Sequence, residues 1–330
     1  MAWVEALALP HAAPSTRALL PAGDAAALIA LARGQRVTAG TQPVALRSAG
    51  DQPAVWLSRG LDYAESRAYA PGDDLRDLHW RLLARTGRPY VKRYREEHAP
   101  ALHLWLDLRP GMAFGTRGRT KAEQAARAAL LAAAMQLLAA EGAAGELSLT
   151  LWRGSAEGEG GATQALGRGL PALRRLAAVL QHQTVRAEAD APRPDEDAEM
   201  LAAALQRAAR VLPAGSRVLL ASDAAGFDAP AVDGALWALA QRAAVALLWV
   251  QDAAEAALPA ALPAQVPFDD LAARQSGVLP PAARAAFAST AQAERAARLA
   301  RWRARGLAVV PTRGDDGDAA LLAALRGLAR

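Results

Sequence analysis

Beyond Ala101 the chain alternates short apolar runs with longer amphipathic or Ala/Leu-rich stretches, and no other feature constrains its fold as much. The runs Leu102–Leu108, Glu146–Trp152, Arg217–Ala221, Ala244–Val250 and Leu307–Pro311 have the near-continuous hydrophobicity of strands buried on both faces. Helices are expected at Lys121–Ala140, Leu170–Gln181, Ala198–Val211, Ala231–Arg242, Pro281–Arg305 and Ala319–Ala329, and the Gly-rich 154–169 stretch reads as a flexible connection. Strands that alternate with helices pair in parallel, because each helix supplies the crossover that a parallel pair needs. Right-handed crossovers cover both faces. Residues 101–330 are therefore expected to form a doubly wound, mostly parallel α/β domain with its functional groups at the carboxyl ends of the strands.

Residues 1–100 read as a smaller module of short strands and helices. A helix is expected over 21–36, capped by Asp24 and apolar at Leu28, Ile29, Leu31 and Ala32, while Gly40, Pro43, Gly50 and Pro53 break 37–57 into short extended pieces. In Tyr69-Ala70-Pro71-Gly72-Asp73-Asp74, Pro71 presets one central turn position and Gly72 tolerates positive φ at the next. Asp73 and Asp74 then stand at the cap of a helix expected over Leu75–Ala84, and Tyr90–Arg95 alternates as a strand.

Arg67, Tyr69, Asp73, Asp74, Arg76, Trp80 and Arg85 make this the densest polar cluster of the chain. One reading is a docking surface for an acidic or phosphorylated partner. The other is an internal network of ion pairs in which Trp80 and Tyr69 are packing platforms, and the five acids from Asp62 to Asp77 favour it. Lys92, Arg93 and Arg95 beside Tyr90 and Tyr94 suit single-stranded nucleic acid, but Glu96 and Glu97 follow at once.

Two strand ends carry acids, Asp107 and Asp223. The element order resembles the von Willebrand factor A fold, in which the first strand ends in Asp-x-Ser-x-Ser and further loops add Thr and Asp to hold Mg²⁺ through oxygen ligands. Asp107 and Asp223 match the two carboxylates. The serine positions hold Arg109 and Gly111, and the second-loop region around Asp197 offers no Thr. A guanidinium has five donors and no acceptor, so the expectation is a degenerate site in which Arg109 replaces the metal's charge by pairing with Asp107, Asp223 or both.

A wider resemblance covers the chain from about Leu28 onward. Gly60-Leu61-Asp62-Tyr63, Arg67-x-Tyr69-x-Pro71-Gly72-Asp73-Asp74-x-Arg76-Asp77-x-x-Trp80 and Gly87-Arg88-Pro89-x-Val91-Lys92-Arg93-x-Arg95-Glu96-Glu97 resemble the signature of the bacterial domain of unknown function 58 family. The resemblance implies a von Willebrand factor A-like fold and work as an adaptor beside a MoxR-type AAA+ ATPase. It implies no established reaction.

Other chemistries lack their parts. Cysteine is absent, so no disulfide, thiolate zinc site or cysteine nucleophile is available. The five histidines show no zincin spacing, and neither a Gly-x-Ser-x-Gly elbow nor a phosphate loop occurs. The net charge of +5 is spread, with thirteen Lys/Arg against ten Asp/Glu in residues 1–100 and twenty-five against twenty-three after them. The tryptophans at 105, 152, 237, 249 and 302 read as packing, and the arginine-rich helix ending at Arg305 reads as solvated rather than membrane-bound, since its apolar face is mostly Ala. No signal peptide or bilayer-spanning run is expected, and the cytoplasm is the expected location. The composite expectation is a cytoplasmic, non-enzymatic adaptor with neither metal nor cofactor. A metal-dependent protein using Asp107, Asp223 and Asp228 is the first alternative and nucleic-acid binding the second.

Overall fold

The computed structural model describes residues 18–34, 63–71, 78–94, 100–139, 145–154, 161, 163–185, 194–256, 258, 266–270, 275–279 and 281–328. Helix α1 (Asp24–Gly34) comes first, then a small unit of β1 (Tyr63–Ala68), α2 (Trp80–Thr86) and β2 (Tyr90–Tyr94). β1 and β2 form an antiparallel pair. The helix expected over Leu75–Ala84 begins later than its capping aspartates suggest. Leu78 is extended and bridges Val91, and the cap is His79, whose Nδ1 accepts from the Leu82 amide at 3.1 Å. Trp80, expected to be a packing platform, is 64% exposed. The extended pieces read over 37–57 lie outside the described residues.

The rest builds one sheet. β3 (Leu102–Asp107), α3 (Lys121–Ala139), β4 (Leu147–Trp152), β5 (Thr163–Gly167), α4 (Gly169–His182), α5 (Pro194–Val211), β6 (Arg217–Ser222), α6 (Pro230–Ala240), β7 (Ala244–Gln251), α7 (Ala253–Ala256), a hairpin of β8 (Val266–Asp270) and β9 (Gln275–Leu279), α8 (Pro281–Ala304), β10 (Ala308–Arg313) and α9 (Asp318–Gly327) follow in order. The six-stranded sheet runs β10-β7-β6-β3-β4-β5, parallel except for β5 at one edge. This is a doubly wound, mostly parallel α/β arrangement with helices on both faces of the sheet. Part of the stretch read as a flexible connection is therefore the antiparallel edge strand β5. It was hidden because an edge strand facing solvent carries polar residues such as Thr163 and Gln164 rather than an apolar run.

Parallel strands buried on both faces show why the pattern was readable. In β3, Leu102, Leu104 and Leu106 face one core with α3, α4, α9 and α1. Trp105 faces the other, with α5, α6, Trp249 and Trp302. α3 is apolar nearly all round because it is covered nearly all round: α1, α4 and α9 pack on it. Arg127 of α3 ties α1 and α9 to it through Asp24 and Asp318. The helix read within the first hundred residues thus shares the core of the sheet. Trp237, read as packing, is 60% exposed on α6. Among the described residues no helix is long and apolar enough to cross a membrane.

Candidate functional site

Strand order reverses between β3 and β6, so the carboxyl ends of these two neighbours flank the switch point where doubly wound sheets hold ligands. Asp107 closes β3 and Asp223 follows β6. Both are buried.

Leaving β3, the chain makes a tight turn in which the Arg109 amide donates to Asp107 Oδ1 at 3.0 Å. The turn folds the Arg109 side chain back over the carboxylate. Its Nε donates at 3.1 Å and its Nη2 donates to Oδ2 at 2.7 Å, a two-pronged grip. The guanidinium also lies 4.6 Å from the centre of the Trp152 ring and donates to the Ala225 carbonyl at 3.0 Å. Ser222 Oγ donates to Asp107 Oδ2 at 2.7 Å. Asp223 stands 3.8 Å from Arg109 Nη2, and its closer partner is Lys121 Nζ at 3.0 Å. That ammonium bridges to Glu255 at 2.8 Å. Glu255 accepts the Asp252 amide, and Asp252 in turn holds Thr116 of the loop after β3.

Lys121 is the residue that sequence reasoning missed. It opens α3, where a cation opposes the helix dipole, and it is almost wholly buried. A Thr120/Glu123 capping box sets the first turn: Thr120 donates its amide to Glu123 Oε2 at 3.0 Å and its hydroxyl accepts the Glu123 amide at 3.2 Å. A lone lysine opening an Ala-rich buried helix was the available signal.

Burial alone would lower the basicity of Arg109, but the charge and hydrogen bonds of Asp107, then Asp223 and Asp197, raise it above its ordinary value. Lys121 is likewise raised, by Asp223 and Glu255 against burial. Burial would raise the Asp223 carboxyl, yet Lys121 and Arg109 pull it down to about 2. These groups are charged throughout the physiological range.

The strand-end acids are engaged by cations and donors of the same chain. Gly111 lies in a 3-10 turn and offers no side-chain oxygen, Arg109 offers none, and the oxygens of Asp107 and Asp223 already accept from Arg109, Ser222, Lys121 and the Ala225 amide. Among the described residues no group of three or more His, Asp or Glu side chains is arranged to hold an ion. The structure brings together Asp107, Arg109 and Asp223. It turns Asp228 outward, to Arg298 and Arg301 of α8.

Of the polar cluster in the first hundred residues, Gly72, Asp73, Asp74 and Arg76 lie outside the described residues. Arg67 and Lys92 sit on the paired strands β1 and β2. Tyr69 is half-buried and its amide donates to the Pro89 carbonyl at 3.0 Å, while Pro71 and Arg85 are exposed.

A family profile described as "Protein of unknown function DUF58" matches residues 65–297. Uncharacterized proteins of Mycobacterium tuberculosis and Mycobacterium bovis are 34% identical to the chain over 80 residues, which cover 24% of this chain and 25% of each relative. The matched stretch thus spans about a quarter of those relatives' length. Among solved structures, an aerotolerance-related membrane protein from Bacteroides fragilis aligns at TM-score 0.37 with 13% identity over 70% of this chain and 98% of that one. The conserved hypothetical protein BatB from Bacteroides thetaiotaomicron aligns at TM-score 0.33 with 12% identity over 70% of this chain and 99% of that one.

Proposed function

The chain belongs to the DUF58 family of proteins of unknown function, and from the chemistry of its crest we propose that it is a non-enzymatic, cytoplasmic adaptor acting through protein contacts beside a MoxR-type AAA+ ATPase. The observation that carries this reading is the pairing of Asp107, Asp223 and Glu255 with Arg109 and Lys121 of the same chain. Catalysis by a metal or by proton transfer needs acids whose oxygens are open to water or substrate. Here those oxygens are committed. The position that would carry chemistry instead stiffens the loops around it, which suits a surface that is recognised rather than one that reacts. The ATPase partner, and a role in assembly or stress-related work, rest on the family resemblance.

The test is reconstitution. The purified chain is mixed with the MoxR-type ATPase encoded in the same genome, with a slowly hydrolysed ATP analogue, and run on a gel-filtration column. Co-elution and an altered ATPase rate are expected, both weakened by Arg76→Glu or Asp74→Arg in the family signature. Separate elution under these conditions contradicts the ATPase assignment.

A further inference from the structure

The carboxyl-end rim of β7 and β10 carries a guanidinium whose surroundings are unfinished. Arg298, Arg301 and Arg305, on α8 and just beyond it, each pair with an acid: Asp228 takes the first two and Asp233 the third. Arg298 is buried against Trp249 and Trp302, 5.2 and 4.8 Å from their ring centres, and donates to the Ala224 carbonyl at 2.6 Å. Arg295, one turn earlier, lies 5.7 Å from the centre of the Trp249 ring and is half-buried. Among the described residues no carboxylate comes within ion-pair distance of it.

What faces Arg295 makes this unusual. Burial, and after it the charge of Arg313 on β10, depress the basicity of Arg295. The acids whose charge reaches Arg295 are already engaged. Glu255 holds Lys121, and Asp316 accepts from the Thr312 hydroxyl and the Arg313 amide at 3.1 and 2.7 Å. Arg313 itself pairs with Asp315 at 3.0 Å, has Asp316 at 3.9 Å, and keeps 43% of its side chain exposed, leaving its outer edge open to a further carboxylate. β10 lies beside β7 in register, with Arg313 opposite Gln251 at the carboxyl ends of the two strands, and Arg295 stands by Trp249 near the same end of β7. A guanidinium laid against an indole keeps a fixed planar fork that matches a carboxylate.

We propose that Arg295 and Arg313 form a carboxylate-binding site for an acidic segment of a protein partner, a deeper statement of the adaptor reading on which it rests. A protein carboxylate fits better than a lipid surface. The apolar residues Leu299 and Trp302 of this part of α8 pack inward, so its outward face has no large apolar anchor for a bilayer.

The probe is a fluorescein-labelled Glu-rich dodecapeptide, its binding to the full chain followed by fluorescence anisotropy at physiological salt. Arg295→Gln and Arg313→Gln should each weaken binding by about tenfold, the loss expected for one charge-assisted fork. The exposed control Arg303→Gln should stay within about twofold, in the range of surface changes away from a site. The Gln version of the peptide should not bind. Arg295→Lys keeps the charge but loses the fork, so an intermediate affinity is expected, and it serves if Arg295→Gln fails to fold. Wild-type affinity in the folded Arg295 variants, or no binding of the Glu peptide to the wild type, overturns the proposal. So does binding to phosphatidylserine vesicles that these substitutions abolish while leaving peptide binding intact. Peptide binding that requires both arginines in a chain that ignores the ATPase would sink the ATPase assignment and leave this site standing. ATPase association in a chain whose folded Arg295 variants keep wild-type peptide affinity would do the reverse.

Discussion

Nη2 of Arg109 lies 2.7 Å from Oδ2 of Asp107, so a residue two positions along the chain neutralises the acid that closes the central strand. Both side chains are buried. Removing one partner leaves the other charged in a water-poor place, which typically costs about 3–5 kcal/mol, whereas removing both leaves mainly a packing change. Arg109→Met should therefore destabilise the chain by about that amount. Asp107→Asn combined with Arg109→Met should recover most of the loss, as read from guanidinium chloride unfolding. Equal instability of the single and double variants would mean that the pair is not an energetic unit.

Asp223 predicts an acid limb. Its folded pKa of about 2 lies below the ordinary 3.8, so the folded state releases this proton more readily than the unfolded one. The resulting stability, roughly 2 kcal/mol, is complete above about pH 4 and is lost as pH falls toward 2. Lys121→Met removes the closest cation. Urea unfolding of this variant between pH 5 and 2.5 should show a flatter slope than the wild type, and an unchanged slope would assign the acid limb to other carboxylates.

His103 works in a milder window. It is buried in β3, its ring nitrogens 2.8 and 3.2 Å from the hydroxyls of Ser148 and Thr150, and burial lowers its pKa from 6.5 to about 4. The unfolded chain takes up a proton below pH 6.5 while the folded chain does not, so stability should fall as pH drops from 6.5 to 4, by up to about 3 kcal/mol. His103→Gln should remove this slope, and a full slope in the variant would point to another group.

The capping box of α3 is a local test. Thr120→Ala removes the oxygen that receives the Glu123 amide and should cost about 1 kcal/mol in thermal unfolding. A loss of several times that size would mean that the substitution also displaces Lys121 from its acids.

Much of this fold was legible because strands covered on both faces are rich in apolar residues, as Leu102, Leu104, Trp105 and Leu106 are in β3 and Leu247, Leu248, Trp249 and Val250 are in β7. β5 escaped notice because half of its environment is water, and the β8–β9 hairpin because Val266–Asp270 and Gln275–Leu279 mix polar and apolar residues. At the crest, Asp107, Arg109 and Asp223 could be picked out from strand ends and donor chemistry. Lys121 could not be placed among them from spacing, since it reaches Asp223 only through the packing of α3 beneath the loops. The helix is expected from Leu75 because Asp73 and Asp74 look like caps, but Leu78 pairs with Val91 in an isolated bridge and α2 begins at Trp80.

In the reading proposed for the crest, Arg109 and Lys121 supply the charge that a divalent ion would otherwise bring to Asp107 and Asp223. Titrating the purified chain with Mg²⁺ and Mn²⁺ in a calorimeter tests it most directly. No saturable heat is expected at millimolar metal; micromolar binding that Asp107→Ala abolishes would overturn this reading.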